Sequence, residues 1–132
     1  PQVGATGGYT PPPDEPMTLE RAKAEKLDEL AAARYLREVG GITIGGARIK
    51  TDRESQATIT GAFISLSQGL AQTIDWKAEG GQWVTLTLAE ITPIAQAVVA
   101  HVQACFTTES QLAAQVNAAT SIEAVQAISF PA

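Results

Sequence analysis

Apolar residues recur at helical spacing in the first long stretch of the chain, residues 18–39. Thr18 is a good N-cap for such a helix, and the glycines at 40 and 41 are the usual stop. The stretch is rich in charge and its apolar stripe is narrow, which is typical of a helix that bridges solvent or packs on a partner. We therefore expect this helix to project from the rest of the fold. Its stripe consists of Leu27, Leu30 and Ala31.

The spacing changes to strict alternation in residues 42–50, where Gly45-Gly46 suits a two-residue primed turn. That turn pairs Ile44 with Ala47 and Ile42 with Ile49, and it places all four side chains on one face of a hairpin.

A second hairpin is predicted for residues 74–86, and its register depends on the turn. A two-residue Gly80-Gly81 turn mixes polar and apolar residues on each face. A three-residue turn over residues 79–81 pairs Trp76 with Val84 and Ile74 with Leu86, which gives one apolar face. We expect the three-residue turn, with Gly81 in the left-handed position.

Three more helices are predicted after the first hairpin, each opened by a capping box. The first follows Thr51 and ends near Gln68. The second starts at Thr87, carries an apolar stripe at 3.6-residue spacing, and continues past Phe106. The third starts at Thr120 and is short. Residues 91–132 contain only two charged residues, so either the hairpins or another subunit cover part of this surface, or it is a solvated Ala- and Gln-rich face.

Together these patterns predict an α+β fold in which an extended arm and a long helix precede two β-hairpins (a small antiparallel sheet) packed with three or four helices. The expected organisation is an arm over residues 1–17, a charged connecting helix over 18–40, and a globular module over 41–132.

The arm is rich in proline and glycine, and Val3 and Tyr9 are the only large apolar side chains in residues 1–16. Too little apolar surface is present to offset the ordering cost of the backbone, so the arm is either a disordered linker or a segment that orders on a partner. Its proline run, Pro11, Pro12 and Pro13, favours the polyproline II conformation. We name as candidate partner-binding residues Val3, Tyr9, Pro11, Pro12, Pro13, Leu27, Leu30 and Ala31.

Composition narrows the class of protein. The net charge is -5 and no Lys or Arg follows Lys77, which argues against a nucleic-acid-binding face. No stretch approaches the ~18 apolar residues of a membrane helix. Cys105 is the only cysteine, so the chain has no internal disulfide framework, which fits synthesis in a reducing cytoplasm. No signal peptide is visible, and the start without Met fits a processed chain or one cut from a longer protein.

Candidate chemistry is sparse. His101 and Cys105 are neighbours on one helix face, but a zinc site needs further ligands and the chain has no other His or Cys. We expect both to have packing roles, and we predict no cofactor, no metal site and no enzymatic activity. Glycoside hydrolysis would require carboxylates that converge in a cleft, and the candidates are Glu54, Glu90 and Glu123. The basic residues Arg48, Lys50 and Arg53 form either a solvated face or a site for an acidic partner.

Several segments together resemble a bacteriophage tail-associated family, domain of unknown function 4376. The likeness rests on the Thr-Asp-Arg-Glu-Ser-Gln string at residues 51–56 and the His-Val-Gln-Ala-Cys-Phe string at residues 101–106. It also rests on the sequence from Ile44 to Ala62, on the Trp residues flanking the second turn, and on the final segment from Thr120 to Ile128. It covers about residues 41–130, so residues 1–40 lie outside it.

The resemblance implies a phage or prophage tail protein and brings no catalytic residues with it. We accordingly expect a structural tail, baseplate or fibre-attachment protein that docks other tail proteins through its arm and first helix. It would be made in the bacterial cytoplasm, be part of the virion, and be present in several copies or as a homo-oligomer. The rival functions are a tail-fibre assembly chaperone, a glycan hydrolase and a receptor-binding tip, the last of which needs exposed aromatics such as Trp76 or Trp83.

Overall fold

The computed structural model describes residues 16–78 and 80–132 of the chain. It confirms the α+β class, but the four strands form two separate two-stranded antiparallel sheets rather than one. The elements of the described residues are α1 Leu19–Glu38, β1 Ile42–Ile44, β2 Ala47–Ile49, α2 Arg53–Ser67, β3 Ile74–Lys77, β4 Trp83–Leu86, α3 Leu88–Ala118 and α4 Ile122–Gln126.

Both hairpins have the registers that the apolar alternation predicts. Ile42 pairs with Ile49 and Ile44 with Ala47 in the first. The second pairs Trp76 with Val84, and the connection between Ala78 and Gln82 has three residues, as predicted. Gly81 has φ 88°, the left-handed conformation that closes such a turn. Glu79, the first residue of that connection, lies outside the described residues.

The chain divides into two compact units whose boundaries fall inside helices. The first unit contains residues up to 35 together with 105–132, and the second is Leu36–Ala104. Both α1 and α3 therefore contribute residues to each unit.

The first unit is a helical core, and α1 belongs to it. Leu30 is 1% exposed and Val116 and Val125 are fully buried, in one cluster with Ala22 and Leu112. Burying apolar side chains of this size contributes roughly 1.5–3 kcal/mol each. The expectation that α1 projects from the fold is therefore wrong, because its apolar stripe packs on α3 and α4 of the same chain.

The second unit has a smaller apolar core under the second hairpin. Ala62 and Leu66 of α2 and Ile91 of α3 are buried there, and one face of the hairpin packs on them. The partly buried side chains around this core include Phe63, Ile74, Trp76 and Leu86.

One of the three predicted capping boxes forms. The Thr87 backbone N–H donates to the Glu90 carboxylate, and the Glu90 N–H donates to the Thr87 hydroxyl. The N-cap of α2 is Asp52 rather than Thr51, and that of α4 is Ser121 rather than Thr120. At both corrected positions, a second capping residue directly follows the predicted one and takes its place.

Candidate docking site

The second unit contains a cavity of about 470 Å³ between β2, the second hairpin, α2 and the start of α3. We call it the hairpin cavity. Its volume lies within the range typical of ligand-binding sites. Most of its lining is apolar, and the apolar side chains are those of Ala47, Ile49, Trp76, Ala78, Val84, Leu86, Ile91 and Ile94.

Strand register places part of the apolar lining on one face of the second hairpin. In the second hairpin the register places Trp76 and Val84 on the same face, with Leu86 two residues further along β4. In the first hairpin, β2 contributes Ile49. The lining is not confined to one face of either strand, because the neighbours Arg48 and Ile49, and likewise Asp75 and Trp76, both belong to it.

The polar residues of the cavity are mostly charged. Arg48, Lys50 and Lys77 supply three cations, and Glu54 and Asp75 supply two carboxylates. Among the described lining residues, cations therefore outnumber carboxylates by one, in a chain whose net charge is -5. Such a local sign reversal favours an anionic occupant.

The lysines of this set have no hydrogen-bonding role in the described part of the chain. Arg48 donates to the Gly40 carbonyl at 2.8 Å, and Asp75 accepts from the Thr85 hydroxyl at 3.0 Å. Lys50 makes no hydrogen bond or ion pair with the described part of the chain, and neither does Lys77, whose ammonium lies 6.0 Å from the Trp83 ring centroid. The hairpin cavity therefore offers an apolar interior with two ammonium groups available at its margin.

The most deeply buried carboxylate lies elsewhere in the same unit and is structural. Glu38, at the end of α1, is 1% exposed. Its carboxylate accepts from the Arg53 guanidinium at 2.9 Å and from the Gln56 amide at 2.9 Å. Because a buried charge is costly unless it is paired and hydrogen-bonded, these contacts are what permit Glu38 to be buried.

The end of α1 is also held by side chains from outside the helix. Fully buried Thr51 donates its hydroxyl to the Glu38 carbonyl at 2.6 Å and accepts from the Gly41 N–H at 2.9 Å. His101 places Nε2 at 2.9 Å from the Arg37 carbonyl and 3.1 Å from that of Glu38. Two carbonyl acceptors assign the proton to Nε2, so His101 is a donor that satisfies a helix terminus.

The other candidate chemical groups have ordinary structural positions. Cys105 is buried, at 8% exposure. Among the described residues no group of three or more His, Cys, Asp or Glu side chains is placed to hold a metal ion. Likewise, in residues 16–78 and 80–132, no helix is long and apolar enough to cross a membrane.

The three predicted carboxylates do not share the cavity. Glu54 lines it, Glu90 is used by the cap of α3, and Glu123 belongs to the first unit. Asp52 has a different role, since the hydrogen bond from the Ser55 hydroxyl, 2.5 Å long, lowers the pKa of its carboxyl below the usual value.

The predicted partner-binding residues fall into two groups. Leu30 and Leu27 pack in the helical core of the first unit and Ala31 is partly buried, so we do not carry a partner-binding role forward for these three. The arm residues Val3, Tyr9, Pro11, Pro12 and Pro13 lie outside the described residues.

The hairpin cavity itself was not predicted from the sequence, although one signal pointed to it. Arg48, Lys50 and Arg53 form a local basic cluster, and two of its members line the cavity. Arg53 does not, because it pairs with buried Glu38. The apolar lining comes from four elements distant in sequence, which no local pattern brings together.

Comparison with known proteins gives one match. The family model described as Domain of unknown function (DUF4376) matches residues 21–129, so it includes most of α1 and corrects the expectation that the likeness starts near residue 41. No curated protein matches the chain, and no solved structure matches it. On the strength of a match that covers most of its length, the chain belongs to the domain of unknown function 4376 family.

Proposed function

We propose that this protein is a structural component of a bacteriophage tail that docks other tail proteins. The observation that carries the docking role is the hairpin cavity, which has an apolar lining and two lysines that make no hydrogen bond or ion pair in the described chain. Apolar surface with a few polar groups at its edge is the usual composition of a recognition site. The tail assignment rests on the resemblance of residues 41–130 to tail-associated phage proteins.

The long helix α3 supports assembly in several copies. Between Glu90 and the end of α3 at Ala118, Glu109 is the only Asp, Glu, Lys or Arg. Glu109 itself is paired with Arg34 at 2.9 Å. On the same helix Val99 is 62% exposed. A surface with so little charge imposes no like-charge repulsion on packing between identical copies.

Mass spectrometry of purified phage particles tests this function. We expect peptides of this protein in the particles at a constant ratio to a major tail protein. Lysate from cells that express the protein without a phage serves as the control for carry-over during purification. Absence from particles, with presence in infected cells, would instead assign it as a tail-fibre assembly chaperone, the alternative function.

A receptor-binding tip is the second candidate, because Trp83 is 69% exposed on the outward face of the second hairpin. Exposed tryptophan is a frequent anchor in recognition of other molecules. Particles carrying Trp83→Ala distinguish the two functions. A tip predicts loss of adsorption to host cells with normal particle yield, whereas an internal structural role predicts normal adsorption by the particles that form.

A further inference from the structure

We propose that the hairpin cavity is the receptor for residues 9–15 of a neighbouring copy of this chain, so that copies associate head to tail through the arm. This proposal deepens the docking role and rests on the proposed function only for the place where assembly occurs. Its support comes from charge, from the apolar lining and from the composition of the arm.

Charge complementarity is the first argument. Residues 1–20 contain Asp14, Glu15 and Glu20 and no Lys or Arg. The described lining residues of the cavity have one more cation than carboxylates, and Lys50 and Lys77 make no ion pair within the described residues. Two adjacent carboxylates at 14 and 15 thus meet two ammonium groups that the fold leaves available.

The apolar side chains of the segment match the apolar lining of the cavity. Residues 9–15 combine Tyr9 with the three prolines, and proline-rich segments bind aromatic-lined grooves because polyproline II is already extended and loses little entropy. In the cavity, Trp76 supplies the aromatic surface, and Ile49 and Leu86 supply aliphatic surface beside it. The acidic pair directly follows the prolines, so apolar and anionic groups are adjacent in the occupant as they are in the cavity.

An arm that binds the cavity of a different copy makes a heterologous contact, which generates a ring if the rotation closes. In that arrangement each copy binds the arm of one neighbour in its cavity and places its own arm in the cavity of another. It also supplies the low-complexity arm with the apolar partner that its own composition lacks.

Binding of a synthetic peptide with the sequence of residues 8–16 provides the direct test. The acceptor is the full chain with Tyr9→Ala, Pro12→Ala and Glu15→Gln, whose own arm cannot compete. Trp76 lines the cavity, so we expect a saturable change in tryptophan fluorescence. A peptide with Asp14→Asn and Glu15→Gln should bind about two- to fivefold more weakly, as expected for exposed ion pairs.

Two threonines of α2 give a matched pair of cavity variants. Both are exposed, but Thr58 lines the cavity and Thr60 is not part of the lining. Thr58→Phe should fill the cavity and weaken peptide binding at least about tenfold, because overfilled sites exclude their ligand. For peptide binding, both substitutions are made in the acceptor with the altered arm. Thr60→Phe should bind the peptide as tightly as that acceptor does without it. If Thr58→Phe does not fold, peptide binding by the double variant Lys50→Gln with Lys77→Gln serves as the second test. This variant alters only exposed side chains.

A mixing experiment tests exchange between copies. By analytical ultracentrifugation we expect the natural chain to self-associate, and the arm variant and Thr58→Phe to be monomeric separately. A mixture of the two should form a heterodimer, since one supplies an intact cavity and the other an intact arm. Monomers in the mixture, or self-association of Thr58→Phe equal to that of Thr60→Phe, would overturn the proposal, as would no saturable peptide binding up to about 1 mM.

The outcomes for this inference and for the proposed function are separable. Absence of the protein from purified particles contradicts the tail role and leaves the arm–cavity contact in place. Presence in particles together with failure of the peptide and mixing experiments contradicts only the contact.

Discussion

At the scale of single residues, long-range hydrogen bonds decide what local patterns leave open. Thr51 and Asp52 are both good N-caps, and the spacing of Glu54 favours Thr51. In the structure the Thr51 hydroxyl is used by Glu38 and Gly41, more than nine residues earlier in the chain, and Asp52 caps α2 instead. No local pattern contains that information, because the competing partner comes from the end of α1.

Replacement of Thr51 tests how much its two hydrogen bonds to Glu38 and Gly41 contribute to stability. Thr51→Val keeps the shape but removes the groups that serve the Glu38 carbonyl and the Gly41 N–H in a fully buried position. We expect the free energy of unfolding to fall by about 1–3 kcal/mol, the cost of leaving buried polar groups unsatisfied. Urea denaturation measures it. The exposed Thr60→Val is the control, and an equally small effect of both variants would contradict a structural role for Thr51.

The Asp52 cap predicts a pH dependence. Hydrogen bonding from Ser55 lowers the pKa of the folded Asp52 carboxyl below its unfolded value of about 3.9. Ionised Asp52 therefore stabilises the fold fully above about pH 4, and this contribution is lost as the pH falls through the folded-state pKa.

Denaturation of the natural chain and Asp52→Asn at pH 7 and in the acid range tests this expectation. Asparagine still caps the helix, so the variant should fold. We expect the natural chain to be the more stable of the two at neutral pH and this difference to shrink in acid. Ser55→Ala removes the main hydrogen bond to Asp52 and should reduce the pH dependence. A difference independent of pH would contradict the assignment.

At the scale of elements, the hairpins were predicted well because strand alternation and turn chemistry are local. One choice of turn length gave an apolar face in each hairpin, and both registers agree with the structure. The ion pairs of α1 have both local and distant partners. Arg21 pairs with Glu25, four positions on, at 3.3 Å, and Arg34 pairs with Glu109 of α3 at 2.9 Å. Only the first of these pairs follows from helical spacing, because Glu109 comes close to Arg34 only in the folded chain.

Substitution by alanine should have opposite effects on stability at two glycines, Gly81 and Gly61. Gly81 has φ 88° in the turn of the second hairpin, so Gly81→Ala should destabilise the protein by about 1–2 kcal/mol. Gly61 lies inside α2, and an added methyl group there meets nothing within 4 Å. Gly61→Ala should therefore stabilise the protein by about 0.5–1 kcal/mol. Thermal unfolding measures both, and the same sign for the two variants would contradict the turn geometry.

At the scale of the whole molecule, the fold class followed from the order of the predicted elements. Neither the helices on which α1 packs nor the hairpin cavity could be predicted from that order. A narrow stripe predicts that a helix packs on something, but it does not say whether the partner lies in the same chain. Leu30 is buried in one cluster with Val116 and Val125, so the partner of α1 lies in the same chain. The cavity was missed for a related reason, since its lining assembles only when four elements come together.

Leucine substitutions on α1 test whether this helix belongs to the fold. Leu30 is 1% exposed and Leu36 is 70% exposed on the same helix. Leu30→Ala should lower the free energy of unfolding by about 2–5 kcal/mol, whereas Leu36→Ala should change it by less than about 0.5 kcal/mol. Chemical denaturation followed by circular dichroism measures both. If Leu30→Ala were as mild as its control, α1 would be an independent projection after all.

The first unit joins the two ends of the described chain, and this has a consequence for synthesis on the ribosome. Leu30 emerges early, but its neighbours Val116 and Val125 are translated only near the end. At elongation rates of ~5–20 residues per second, the apolar stripe of α1 waits on the order of ten seconds for them. During that interval the nascent chain presents an unburied leucine-rich helix to chaperones and to other nascent chains. Premature termination before α4 would make that exposure permanent, so truncated products should be preferred substrates for cellular proteases.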